Sequence, residues 1–180
     1  MYELIILGFL MRSNSHGYRI SKIINDMIGP YAKISSGRLY PLFEKLSTSG
    51  FITIVQDVDN SQSKETRQRE YEITEGGKNR FRQLMMDTTT NMGEYRKLFG
   101  FKFIFIDLLQ VSERLYLLDH YINYCQTHIF YIESEMEDLQ HRPVDYLTTS
   151  LNIMEHNKSK WLLEIQWANS YREQLKGGDM

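Results

Sequence analysis

Ser35-Ser36-Gly37-Arg38-Leu39-Tyr40-Pro41-Leu42 is the stretch on which the fold turns. A serine pair ahead of Leu39, Leu42, Phe43 and Leu46 marks the start of a helix with one apolar side, and Gly50 marks its end. Pro41 lies inside it. The carbonyl its ring would crowd belongs to Gly37, so the spacing predicts a bent but unbroken helix. Residues 51–55, Phe-Ile-Thr-Ile-Val, are mostly β-branched and read as a strand. Residues 57–66, rich in Asp, Asn, Ser and Gln, read as a hairpin tip. Residues 67–73 alternate charge with Tyr71 and Ile73, as a two-faced return strand does. Thr74 is expected to cap a further helix reaching about Thr90.

Upstream, residues 2–11 are almost continuously apolar and predict a short buried helix, broken by Ser13-Asn14-Ser15. Tyr18, Ile20, Ile23, Ile24, Met27 and Ile28 follow at helical spacing, and Gly29-Pro30 stops that helix. Two helices, a third with a polar and basic tip, then a hairpin: this is the order of a winged helix-turn-helix. On that reading Lys33, Ser35, Ser36 and Arg38 face double-stranded DNA at the start of the recognition helix. Arg38 has the reach for a bidentate guanine contact, while the serines and helix amides suit phosphates or bases. Lys64, Arg67 and Arg69 lie on the wing, where cations grip phosphates or enter a minor groove. Tyr18 and Tyr40 either offer hydroxyls to phosphates or pack between helices.

The C-terminal half holds no convincing strand. Phe99, Phe101, Phe103, Ile104, Phe105, Ile106, Leu108 and Leu109 make a segment apolar on most sides, which predicts one buried helix. Ser112 with Glu113 is expected to open the next. In it Leu115, Leu118, Ile122, Cys125, Ile129, Ile132, Met136 and Leu139 are spaced 3, 4, 3, 4, 3, 4, 3, an unbroken heptad seam that serves as core or as dimer interface. After Arg142-Pro143, the positions Leu147, Leu151, Met154, Lys158, Trp161, Ile165, Ala168, Arg172 and Leu175 carry a second seam, interrupted by two cations. Homodimerisation is assigned to Leu115, Leu118, Ile122, Ile129, Ile132, Met136, Leu151, Met154, Trp161 and Ile165. The fold class is therefore mainly α with a small β-wing: a winged helix domain over residues 1–90 and a helical, coiled-coil-like dimerisation and effector domain over residues 91–180.

Composition narrows the function classes. A 42% hydrophobic and 24% charged chain of 180 residues suits folded, water-soluble domains. The apolar runs are too short or too broken to span a bilayer, and no basic region precedes the first, so neither membrane nor secretory signal is expected. One cysteine, Cys125, suits a reducing cytoplasm. Net charge is −2; residues 1–80 hold 11 Lys and Arg against 9 Asp and Glu, a balance of +2, which leaves −4 for the rest. No phosphate-cradling glycine loop, nucleophile elbow or metal-ligand spacing occurs, so the chain does not read as an enzyme and no cofactor or metal is expected.

Several short motifs occur in a fixed order: Ile5-Ile6-Leu7-Gly8-Phe9-Leu10, His16-Gly17-Tyr18-x-Ile20, Ser36-Gly37-Arg38-Leu39-Tyr40-Pro41-Leu42, Leu46-x-x-x-Gly50-Phe51-Ile52 and Arg69-x-Tyr71-x-Ile73-Thr74-x-x-Gly77. Together they resemble the N-terminal domain of the PadR family of bacterial transcriptional regulators, and the heptad-bearing tail is similar to its longer members, the repressors of phenolic acid decarboxylase expression. The resemblance implies a homodimer on a pseudo-palindromic operator and a repressor released by a small phenolic acid such as p-coumarate. Phe99, Phe103, Tyr121, Tyr124, His128 and Trp161 either pack together or line a cavity between the two domains for such an effector. Lys158 either snorkels to water or meets the effector carboxylate. The alternative is a winged helix used as a protein-interaction module, with its coiled coil as the binding element.

Overall fold

Residues 2–12 are apolar on nearly every side, and the chain surrounds them accordingly. The computed structural model describes residues 1–31, 33–55, 69–141 and 145–177. Its first helix, α1 (Tyr2–Arg12), buries Leu4, Ile5, Ile6, Leu7, Gly8 and Leu10. A short strand β1 (Ser15–His16) leads into α2 (Gly17–Ile28), which ends where Gly29 takes φ 99°. Helix α3 (Ser36–Thr48) carries Pro41 without breaking. Its buried side is Leu39, Phe43 and Leu46, and Gly50 at φ 72° turns the chain into strand β2 (Ile52–Ile54). Strand β3 (Glu70–Ile73) returns antiparallel to β2, with Ile52 opposite Ile73 and Ile54 opposite Tyr71. Helix α4 (Glu75–Met86) follows, its first turn capped by the Thr74 hydroxyl, which accepts from the Gly77 amide at 3.1 Å.

Three helices and a three-stranded sheet of order β1-β3-β2 make a winged helix-turn-helix, as the sequence predicts. The third strand was not legible as one. Ser13-Asn14-Ser15 reads as a break, yet Ser15 pairs with Tyr71 and His16 with Glu70. Two residues are too few for an alternating pattern, so only the partner strand reveals this one.

Two further helix ends fall elsewhere than expected. Helix α4 stops at Met86, not near Thr90, because the Asp87 carboxylate takes hydrogen bonds from the Thr89 amide and hydroxyl and from the Thr90 amide and hydroxyl. These bonds, the Thr90 hydroxyl first, hold its pKa far below the usual carboxylate range. The apolar segment around Phe99–Leu109 is not one helix. Helix α5 (Tyr95–Phe103) ends early, and a 3-10 turn spans Ile106–Leu108. The break points Phe105 at α1 and α4, edge-on to Phe9 at 5.2 Å and to Phe81 at 6.1 Å. Arg12 satisfies the freed end: its guanidinium donates to the Ile104 carbonyl at 3.0 Å and grips both Asp107 carboxylate oxygens at 2.9 and 2.7 Å.

Helix α5 also carries Lys102, only 1% exposed. Its ammonium donates to the Asp87 carbonyl at the C-terminal end of α4 and sits 5.7 Å from the Tyr95 ring centre. Burial pushes Lys102 down from 10.5 to about 8, with the Asp87 charge opposing. Between those two values the unfolded chain holds a proton that the folded chain has released, so this residue makes stability rise with pH. The thermal midpoint of the parent, measured relative to Lys102→Met, is therefore expected to climb from about pH 8 towards pH 10.5. A difference that stays flat or falls over that window would contradict the buried charge.

The chain divides into two compact units, Met1–Leu108 and Leu109–Met180. Residues 91–108, grouped with the tail on sequence alone, pack within the first. The second is a helical hairpin of α6 (Val111–Gln140) and α7 (Leu147–Gly177). Gln110, not Ser112, precedes α6: its amide donates to the Glu113 carboxylate at 2.9 Å, half of a capping box. The helices run antiparallel, since Asp119 meets Arg172 and Glu133 meets Lys158. The heptad seam has thus found a partner within its own chain, with Cys125 and Ala168 fully buried and Ile122 and Leu175 nearly so. Among the described residues no helix is long and apolar enough to cross a membrane.

Candidate nucleic-acid interface

The first turn of α3 is open to solvent. Lys33, Ser35 and Arg38 are exposed, and Ser35 caps the helix by conformation (φ −68°, ψ 149°) without a side-chain bond. The Ser35 carbonyl accepts from the Arg38 and Leu39 amides at 3.0 and 3.4 Å, which closes the turn and leaves its outer surface clear. An open helix start with two cations and a serine attracts anions twice over, through unpaired amides and through the helix dipole. Lys64, Arg67 and the Ser36 side chain lie outside the described residues.

What aims this turn is a residue that the sequence reading did not single out. The Asn25 side chain of α2 accepts from the Ile34 amide at 2.7 Å and donates to the Ile34 carbonyl at 3.3 Å, while also bonding the Ser21 carbonyl at 3.1 Å. Ile34 itself is 8% exposed. Asn25 thereby clamps both polar groups of one residue just before α3 begins. An asparagine in a helix interior is poor for propensity, and that misfit is the only signal the sequence offers. Asn25→Ala is expected to cost about 1–3 kcal/mol in chemical denaturation, because it strands a largely buried amide and carbonyl. Asn25→Asp, which keeps the acceptor but not the donor, should fall between that variant and the parent. Stability unchanged in Asn25→Ala would remove the clamp.

The remaining candidates divide by exposure. Tyr18 is 54% exposed and stacks on His16 with ring centres 5.8 Å apart, so its hydroxyl is free to meet a phosphate. Tyr31, between α2 and α3, is fully exposed, and it too escaped the sequence reading for want of a pattern. Tyr40 and Arg69 are half-buried. Tyr40 lies 6.2 Å from Phe43, whose ring stacks on Tyr71 at 5.0 Å. Arg69 and Tyr71 line one shallow cleft with Phe43 and Glu44 of α3. Burial pushes the Tyr71 hydroxyl's pKa up, the nearby Arg69 charge pulls it down, and Tyr40 and Glu44 push it up again.

In the C-terminal unit the aromatic residues stack on one another. His128 lies flat on Trp161, centres 4.3 Å apart and planes within 6°, and Tyr124 meets both edge-on at 4.6 and 5.8 Å. Tyr121 donates its hydroxyl to Glu164 at 2.7 Å. Burial lowers the His128 pKa, which favours the neutral ring. The Lys158 ammonium is 2.8 Å from a Glu133 oxygen, so a carboxylate of its own chain already meets it. Phe99 and Phe103 belong to the first unit, 6.2 Å apart, with Phe99 nearly inaccessible. Among the described residues no group of three His, Cys, Asp or Glu is disposed to hold a metal ion.

No curated protein matches the chain. Residues 6–83 match the model of the transcriptional regulator PadR-like family. A transcriptional regulator from Clostridium thermocellum is 32% identical over 46% of this chain and 74% of that one, with a TM-score of 0.37. Bacillus subtilis PadR in complex with operator DNA is 18% identical over 96% of this chain and 98% of that one, TM-score 0.39. Its complex with p-coumaric acid is likewise 18% identical, over 97% and 98%, TM-score 0.39. The family match begins within α1 and ends within α4, so it takes in the open turn of α3 and the strands of the wing. The chain belongs to the PadR-like family of transcriptional regulators.

Proposed function

We propose that this regulator binds a pseudo-palindromic operator as a homodimer, with the N-terminal turn of α3 in the major groove, and that it acts as a repressor. The observation that carries this reading is the open, cationic α3 start: Lys33, Ser35 and Arg38 exposed around a turn that no described side chain caps. Arg38 reads a base edge, and Lys33, Ser35 and Tyr18 hold phosphates. Lys64 and Arg67, on the wing by sequence, add grip. The DNA-binding part lies within residues 1–90, and residues 91–180 provide dimerisation and response to an effector. Apolar side chains left open on α6 and α7 support a further helical partner there: Phe130 is 74% exposed, Leu163 66% and Ile153 53%. A second copy would cover them and bury the half-open ends of the seams at Leu115, Ile129, Ile132, Met136, Leu151, Met154 and Ile165. The protein works in the cytoplasm, where its DNA is.

The effector we propose is a small aromatic carboxylic acid of the phenolic type. The π-rich cluster of Tyr121, Tyr124, His128 and Trp161 supports it, since such faces accept an aromatic ring by displacing one stacked partner. The ligand would favour a dimer geometry in which the two α3 helices no longer match successive major grooves. A gel shift on the DNA flanking the protein's own gene, titrated with p-coumarate, tests both parts. Release of the DNA by p-coumarate is expected. Binding that persists would remove the phenolic effector and leave the operator reading standing, whereas no shift in any condition would remove both.

A further inference from the structure

The helical cations of the first unit fall into two sets. On α1, α4 and α5 nearly all are engaged: Arg12 grips Asp107, Lys78 meets Glu75 at 2.6 Å, Arg80 meets Glu3 at 2.7 Å and Lys102 donates to the Asp87 carbonyl. Arg82 and Arg96 have partners as well, which leaves Lys97 as the exception. On α2 and α3 the reverse holds. Arg19, Lys22, Arg38 and Lys45 are all exposed, and among the described residues none has an ion pair or a side-chain hydrogen bond. At about 100° per residue, Tyr18, Lys22, Asp26 and Arg19 share one open arc of α2, opposite the buried Ile20 and Ile24. Asn25 borders that arc beside Tyr18 and Lys22, and the same Asn25 fastens Ile34 ahead of α3. The arc therefore adjoins the open α3 turn, where Lys33 and Arg38 stand.

We infer that Arg19 and Lys22 form a second row of phosphate contacts, by which α2 holds the DNA backbone at the edge of the groove that α3 enters. This rests on the operator reading and extends it to a second helix. A helix-turn-helix lays the helix that precedes its recognition helix across the backbone, and spare positive charge on that helix meets a polyanion there. Elsewhere in the unit the fold's own acids neutralise the cations, whereas Arg19 and Lys22, three residues apart, are left open side by side. Asp26, one turn beyond Lys22, is the acid of the arc. It confines the grip to the N-terminal part of α2, where the helix dipole also favours an anion. Contacts of this kind add affinity without choosing a sequence.

The experiment measures affinity between about 50 and 200 mM salt for the full-length parent, the Arg19→Gln/Lys22→Gln double variant, Lys97→Gln and Arg38→Ala. Each is tried on a duplex from the flank of the protein's own gene and on an unrelated one. A lost phosphate contact removes about 0.9 from the slope of log affinity against log salt, and a homodimer loses two such contacts for each residue replaced. The double variant's slope should therefore be shallower by roughly 3–4 on both duplexes, so that the parent loses about a hundredfold more affinity over this range than the variant does. Its preference for one duplex over the other should stay within about twofold of the parent's. Its thermal midpoint should match the parent's, since both side chains are exposed. Lys97→Gln removes an exposed cation of α5 and should leave the slope as it is. A double variant that keeps the parent's slope would overturn the inference, and so would a Lys97→Gln slope that falls as far per residue. Failure of the operator reading looks different: Arg38→Ala then matches the parent on both duplexes. A parent that binds neither duplex would remove both readings.

Discussion

Gly77→Ala is expected to unfold the winged helix or to destabilise it by roughly 3–5 kcal/mol, enough to lower its thermal midpoint by more than about 10 °C. A Cβ at this position would lie 2.0 Å from the Phe51 carbonyl oxygen and 2.7 Å from Ile73 Cγ1. The oxygen cannot retreat, because it also accepts from the Thr74 amide at 3.0 Å, and the Thr74 hydroxyl bonds the Gly50 carbonyl at 2.6 Å. The start of α4 is pressed onto the backbone of the α3–β2 corner, and that contact fixes the hairpin's return. The neighbouring glycine supplies the control. A Cβ on Gly76 meets nothing closer than 3.5 Å, so Gly76→Ala should be neutral or should gain up to about 1 kcal/mol of helix propensity. Gly8 is intermediate: its Cβ would meet the Phe105 ring at 2.7 Å, but a side chain can shift. Equal midpoints for Gly76→Ala and Gly77→Ala would contradict the packing described for this corner.

Arg38→Ala is expected to remove about 1–3 kcal/mol of operator discrimination, roughly a 5- to 150-fold loss of affinity for the cognate duplex. Binding to unrelated duplex should fall far less. Arg38 is exposed at a helix start, so its loss should move stability by no more than about 0.5 kcal/mol. That contrast makes the variant informative: a fold that is intact by denaturation with base reading gone. Arg38→Lys keeps the charge but not the planar fork and should restore only part of the affinity. A cognate affinity unchanged in Arg38→Ala would move base recognition elsewhere on the domain.

The sequence made the fold legible wherever a residue's role depends on its near neighbours. The α3 helix with its internal proline, the β-branched strand, Thr74 as a cap and the heptad spacing are all local signals, and each element lies where they put it. It was illegible where the role depends on what comes back from far along the chain. β1 exists because Tyr71 arrives beside Ser15. Helix α5 ends because Arg12 and the α1–α4 core claim Ile104 and Phe105. Lys102 carries no local sign of burial and is buried, since only α4's end supplies its acceptor. The heptad seam announced that something packs against α6 but not that the partner would be α7 of the same chain. The candidate interface followed the same division. Lys33, Ser35 and Arg38 were readable from the helix start, whereas Asn25 needed coordinates.

The most direct test of the central claim is the salt dependence of duplex affinity, measured for the parent and for Arg38→Ala on the DNA flanking the protein's own gene. A dimer that grips 6–10 phosphates, an order-of-magnitude expectation, should lose about 10³–10⁵ in affinity between 50 and 200 mM salt. Arg38→Ala should lie well below the parent at each concentration on this duplex and close to it on an unrelated one. Binding that ignores salt, or an Arg38→Ala variant that cannot be told from the parent on either duplex, would contradict the placement of the α3 start in a major groove.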